Sequence, residues 1–287
     1  MILTAISPRF AIRTFGFFVT VVSCLPDALA PEAPVLTRDD LLQALAAIRV
    51  TAPVRAEEVT ASTNATAAAM AADGAPVWTL VSASHQTHGR GRLDRVWEDV
   101  PGRALMFSLV LRPDLPATRV GLLSLLAGAS MAEAIREVTG RRVTCDWPND
   151  LYLDGRKVGG VLAESSVRDG QIEHVVIGLG VNLEPPPGVA EAGGVGDCSM
   201  RELLVAFLVR MAASYEAAEP TLPERVRAAW MPVAGTMGQL VRATGTEGHE
   251  IVGRAVGIDD FGSLRLSTDE GEALVSFGDV HHVVEDE

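Results

Sequence analysis

The chain has 287 residues, 48% of them apolar. That is enough for one full-sized core with a smaller unit attached, and it excludes a disordered polymer. Its 24 basic residues against 37 acidic ones give a net charge of −13, which with no long basic run argues against general DNA binding, so any anion must be gripped locally. Cys24, Cys145 and Cys198 are odd in number and lack metal-ligand spacing, which argues against a disulfide framework or zinc site and for a reducing compartment.

The first segment, residues 1–36, carries two arginines, an apolar run from Phe15 to Val22, "VVSC" at 21–24 and "ALA" at 28–30. Two readings stay open at this point: an export signal, or a tail or over-extended start. The run is too short to span a bilayer, which takes about 20 apolar residues. Pro31 and Pro34 mark a linker. "TRDDLLQALAAIRV" opens on Thr37 with Asp40 three later, a variant of the capping box, and carries Leu41, Leu42, Leu45 and Ile48 at helical spacing. A second helix is predicted from Ser62 or Thr63 to Gly74, then a strand over 77–82. The apolar run 104–112 reads as a buried strand, and 118–138 as a long helix ended by Gly140.

The pattern then turns to β. Asp154-Gly155 and Asp169-Gly170 are tight-turn signals, so 143–183 is predicted as an antiparallel meander. A Pro/Gly-rich loop (184–198) precedes a helix capped by Ser199 and Glu202 that runs to about 217, then a shorter helix near 223–230. After Pro232, short alternating segments are split by glycines every eight to twelve residues, the signature of a small β-barrel. The body is thus α+β, with a mixed or antiparallel sheet packed with helices. The expected divisions are an extension (1–36), a main domain (37–233) and a β-domain (234–287).

Four stretches carry candidate chemistry. In "HQTHGRGRLDRVW" (85–97), Gly89 and Gly91 free the backbone beside Arg90 and Arg92, whose planar forks match phosphate or carboxylate. Without an anion these cations should repel, so the loop is expected to be mobile when empty; a solvated basic loop is the plainer alternative. It matches neither common nucleotide fingerprint. In "DWPNDLYLDGRKVGG" (146–160), Asn149 and Asp150 suit a turn, while Lys157 beside Gly159 and Gly160 suggests an anion site where something approaches the sheet. Gly178, Gly180 and Asn182 punctuate another buried strand in the same way, a bulge being the alternative. Ser62, Thr63 and Asn64 crowd a helix start where one cap would suffice, leaving donors for a neutral ligand together with Gln86.

In order and spacing, these motifs resemble the biotin–protein ligases over roughly residues 55–287: Ser-Thr-Asn, the Gln-x-x-Gly-Arg-Gly-Arg loop ending in Trp, Trp-Pro-Asn-Asp, Arg-Lys-x-x-Gly, Val-Ile-Gly-x-Gly-x-Asn and a terminal barrel. The resemblance implies a class II synthetase-like catalytic domain with an SH3-like C-terminal barrel. It implies formation of biotinyl-5'-AMP from biotin and ATP, with Mg2+, and transfer to a lysine of a biotin carboxyl carrier domain. By that likeness Lys157, Arg90 and Asp150 are catalytic. Ser62, Thr63, Asn64, Gln86, Gly89, Arg90, Gly91, Arg92, Lys157, Gly159, Gly160 and Gly178 bind biotin. Arg90, Arg92, Trp97, Asn149, Lys157 and Asn182 face ATP, with Trp97 near adenine and no dedicated protein metal site. A cytoplasmic protein is implied, monomer or homodimer, with no nucleic-acid or membrane partner. A repressor-type DNA-binding arm is not expected, and residues 1–36 then read as a tail or over-extended start.

Three departures stand out. Asp146 stands where the family often has lysine before Trp-Pro-Asn-Asp. Asp94 replaces a frequent loop glycine, and Val96 a frequent basic residue. Both aspartates are expected to weaken the phosphate site. The nearest alternatives are a lipoate–protein ligase and a non-catalytic biotin-binding sensor.

Overall fold

The computed structural model describes residues 35–169, 171–215, 220–244, 250–276 and 279–282. The expected N-terminal segment lies almost wholly outside them. Helix α1 (Arg38–Ala47) starts as predicted. The Thr37 hydroxyl accepts from the Asp40 amide, and the Asp40 carboxylate takes the Thr37 N–H, so both halves of the capping box form. β1 (Val54–Thr60) was not expected. It is a charged edge strand, "VRAEEVT", without the alternation that announces a half-buried strand.

α2 (Thr63–Ala72) leads to β2 (Leu80–Gln86), which lies several residues later than predicted. Trp78, at φ 69°, belongs to the turn before it. β3 (Ala104–Leu111) is buried throughout. α3 (Val120–Thr139) ends at Gly140 in the left-handed region (φ 73°). With the 3-10 turn before it, this helix is long and apolar enough by composition to cross a membrane, yet its most apolar window is 67% buried in the fold.

The meander follows as β4 (Thr144–Asp146), β5 (Asp150–Leu153), β6 (Arg156–Arg168) and β7 (Gln171–Asn182). Asp154 and Gly155 both take positive φ at the tight turn. α4 (Met200–Ser214) is capped by the Ser199 hydroxyl, which accepts from the Glu202 amide, and α5 (Leu222–Trp230) follows.

Seven strands form one mixed sheet, ordered β1-β2-β3-β7-β6-β5-β4, in which only the β1–β2 pair is parallel. The period of two sorts its side chains. Leu105, Phe107, Leu109, Leu151, Val161, Ile177, Leu179 and Val181 join the main core with α1, α3, α4 and α5. On the other face Val81, Val110 and Val176 pack against Ala67 and Ala71 of α2. Among the described residues that second face carries one helix, α2, and the rest is open to become a site.

The C-terminal strands are β8 (Leu240–Thr244), β9 (Glu250–Ile258), β10 (Leu264–Thr268), β11 (Gly271–Val275) and β12 (Asp279–His282). They pair in the order β11-β10-β9-β8-β12, an open five-stranded sheet among the described residues. Trp147 joins the two sheets. Its backbone N–H donates to Thr236 Oγ1 at 2.8 Å and its Nε1 donates to the Gly262 carbonyl at 2.8 Å, both buried.

Candidate active site

A cavity of about 310 Å³ opens on the α2 face of the large sheet. Strand alternation brings its wall together from distant sequence. Met106 and Ser108 of β3, Gly178 and Gly180 of β7, Leu162 and Glu164 of β6, and Asp150 and Tyr152 of β5 share that face. A bulge adjusts the phase. Tyr152 pairs with Lys157 and Leu151 with Gly159, so Val158 is an extra residue in β6. Both Lys157 and Gly160 therefore face the cavity, which an unbroken strand would not allow. Gly159, expected in the slot wall, instead faces the core, where an added Cβ would meet Leu151 and the Gly180 carbonyl.

One end of the cavity is neutral and polar. Gln86 Oε1 accepts from the Thr63 amide (2.8 Å) and hydroxyl (3.1 Å). Ser62 is buried and its side chain makes no cap hydrogen bond. The other end is cationic. Lys157 Nζ lies 2.7 Å from Asp150 Oδ1. Arg92 Nη1 donates to Asn149 Oδ1 at 3.3 Å, and Asn149 is fixed in turn by donating to the Val161 carbonyl at 2.8 Å.

The arginine loop folds back on itself like a hairpin. The Gly91 amide donates to the Arg95 carbonyl (2.7 Å) and the Trp97 amide to the Gly89 carbonyl (3.0 Å), while Leu93 and Asp94 turn the tip at φ 53° and 58°. Aspartate tolerates that left-handed geometry, which explains how Asp94 replaces a glycine. The expectation of mutually repelling, unpartnered arginines fails here. Arg90 Nη2 lies 2.8 Å from Glu164 Oε2, so the protein supplies an anion of its own. Asp146 acts on the wall from outside it, its charge being felt at Tyr152. It lines neither this cavity nor the larger one beside it, and its carboxylate packs against Gly235.

The strand glycines do make room, but for protein groups. A Cβ at Gly178 would fall on the Asn64 carboxamide, and one at Gly180 would come within 2.5 Å of the Trp97 indole. Trp97 thus rests on the sheet with its Nε1 buried and unpartnered. Gly89 lines the neighbouring cavity instead, and Asn182 lines neither, although it is buried with an unpartnered Oδ1. Sequence reasoning missed Tyr152 and Glu191, both in the wall, and Glu164, which lines the neighbouring cavity. Burial and the nearby Asp150, Asp146 and Glu191 push the Tyr152 phenol up to about 12. Glu191 arrives because its segment lies alongside β6, its carbonyl accepting from the Lys157 amide at 3.0 Å. Alternation along β6 could have flagged Glu164 only once the bulge was known.

A model of the biotin/lipoate A/B protein ligase family matches residues 57–182, and one of the biotin protein ligase C-terminal domain matches residues 236–283. The biotin–[acetyl-CoA-carboxylase] ligase of Paracoccus denitrificans is 33% identical over 238 residues, covering 77% of this chain and 97% of that protein. The chain belongs to the biotin protein ligase family. The bifunctional ligase/repressor BirA of Bacillus subtilis is 31% identical over 237 residues, 78% of this chain and 72% of that one. The biotin protein ligase of Aquifex aeolicus, solved in complex with biotin and ATP, superposes with a TM-score of 0.66 at 25% identity, over 80% of this chain and 99% of that one. The biotin ligase fold accounts for the mixed sheet and its one-sided site.

Proposed function

We propose that this chain activates biotin with ATP as biotinyl-5'-AMP and transfers the biotinyl group to a lysine of a biotin carboxyl carrier domain. The observation that carries this reading is the polarity of the cavity: neutral hydrogen-bonding groups at Ser62, Thr63 and Gln86 at one end, Arg92 and Lys157 at the other, and Arg90 in the wall, held by Glu164. A ligand with a neutral ring and an anionic tail fits that gradient.

Two anions, a carboxylate and an α-phosphate, must meet. Lys157 and Arg90 offset their repulsion and stabilise the charge that builds at phosphorus, while Arg92 holds further phosphate oxygens. The loop over the site keeps water from the mixed anhydride. Trp97 forms part of the wall on which the adenylate lies. Asp150 orients Lys157 in the resting site and receives the acceptor amine's proton during transfer.

Among the described residues no three His, Cys, Asp or Glu side chains cluster as a metal site. That donor set suits a magnesium ion carried in on the nucleotide phosphates, with Asp150 as an available carboxylate. Such an ion would neutralise phosphate charge.

The C-terminal match is to a biotin ligase domain, which favours biotin over lipoate. The same match supports reading the five C-terminal strands, an open sheet among the described residues, as the SH3-like unit of this family. ATP and carboxylase carriers make the cytoplasm the compartment of this activity. The test is transfer of biotin to a purified carrier domain with and without ATP, beside Lys157→Ala. ATP-dependent labelling lost in the variant supports the ligase reading. Biotin binding without labelling would instead point to a sensor, and labelling by lipoate in preference to biotin to the sister activity.

A further inference from the structure

Asn64 sits in the wall of the cavity, yet its hydrogen-bonding capacity is already committed. Its Oδ1 lies 2.6 Å from the Ser108 hydroxyl, and its two Nδ2 hydrogens go to the Leu162 carbonyl (3.3 Å) and to Glu164 Oε2 (2.7 Å). Gly178 is pressed against the same carboxamide, so it cannot swing away. Asn64 and Ser108 are 3% and 0% exposed, so the anchor is rigid. The Glu164 oxygen that receives Asn64 also receives Arg90 Nη2 at 2.8 Å. A continuous chain therefore runs from the centre of β3 through Asn64 and Glu164 to the tip of a loop cation.

We propose that Glu164 is a positioning residue for Arg90. The carboxylate, fixed by Asn64, holds one edge of the guanidinium and leaves its other donors turned to the reacting anions. This rests on the ligase reading above, and it reassigns Asn64 from ligand contact to support. A guanidinium held by one nitrogen keeps several of its five donors, so the anchor does not exhaust it. Without the anchor, a long arginine on a glycine-flanked loop must be ordered by the ligand itself, and misplacement of a catalytic group by about 1 Å costs up to about 100-fold.

The test compares Glu164→Gln, Arg90→Ala and the double variant with the full-length parent. Glutamine preserves an acceptor for Asn64 and removes the charge that holds Arg90. The readouts are kcat and KM for biotinyl-adenylate formation, and calorimetric affinity for biotin alone and for a non-hydrolysable biotinyl-adenylate analogue. The expected result is a fall of about 10- to 100-fold in kcat and in analogue affinity for Glu164→Gln. Biotin affinity should change less than about twofold, and the variant should add nothing to Arg90→Ala. A purely structural role would lower thermal stability and biotin affinity together, and would add to the Arg90 loss; that outcome overturns the proposal. So does tighter analogue binding in Glu164→Gln, which would make Glu164 a competitor of the ligand. If the parent binds the analogue and turns over but Glu164→Gln matches it, positioning alone fails. If the parent neither binds biotin nor consumes ATP, the ligase reading fails and takes the positioning role with it.

Discussion

Lys157 Nζ and Asp150 Oδ1 stand 2.7 Å apart across a hairpin whose bulge at Val158 turns both into the same cavity. The two groups should part company kinetically. Lys157→Gln removes a donor aimed at developing charge and should slow adenylate formation by about 10²–10³-fold. Asp150→Asn should slow the transfer half-reaction more than the activation half-reaction. Single-turnover measurement of each half-reaction checks this, and equal losses in both for Asp150→Asn would remove its role as proton acceptor.

The site glycines should not respond alike. Gly178→Ala places a methyl on the Asn64 carboxamide, so it should disturb the anchor, lower the unfolding midpoint and reduce activity together. Gly160→Ala meets only ordinary contacts of 3.6 Å or more and should fold as well as the parent. Its methyl points into the cavity, so its effect should be on ligand affinity alone. Thermal unfolding and biotin titration of the two variants separate these outcomes.

Trp147 is the hinge pin between the sheets. Trp147→Phe keeps the ring's bulk but leaves the buried Gly262 carbonyl without its donor, a loss of about 1–3 kcal/mol. Urea unfolding should show the lower midpoint, and a second transition would appear if the C-terminal strands then open first.

The chain's two tyrosines, Tyr152 and Tyr215, are both pushed up to about 12, chiefly by burial. The folded protein should therefore show almost no phenolate absorbance as pH passes 10, while the urea-unfolded chain titrates there. Because the folded values lie above the unfolded one, stability is untouched below pH 10 and declines as pH rises from about 10 towards 12. A phenolate signal near 10 in the folded protein would contradict the burial of both rings.

The helices with explicit caps and the Asp154-Gly155 hairpin were legible in sequence because their signals are local: Thr37 with Asp40, and Asp154 with Gly155; Gly170 of the second expected turn lies outside the described residues. β1 was not. A strand with Glu57 and Glu58 in its middle is made by pairing with β2, which no local pattern records. The site showed the same divide. The glycines at 178 and 180 announced that something lies on the sheet, but composition could not say that it is Asn64 and Trp97. Gly159 and Gly160 looked equivalent as a pair, but strand alternation sends them to opposite faces, and the bulge at Val158 is what puts Lys157 on the same face as Gly160. Glu164 was invisible because its meaning lies in two partners, 100 and 74 residues away.

Lys157 is also the one lysine in the entire chain; every other basic residue among the 24 is arginine. Arginine stays protonated and is no nucleophile at working pH. An acyl-adenylate that escapes the site therefore finds, on the protein that made it, no ε-amine beyond the one ion-paired to Asp150, and otherwise only the terminal amine. Such a ligase has almost no amine on which to tag itself. Intact-mass measurement after prolonged turnover without acceptor should find at most two biotinyl additions. One at Lys157 should coincide with inactivation, making the single lysine both the working group and the enzyme's only point of self-poisoning.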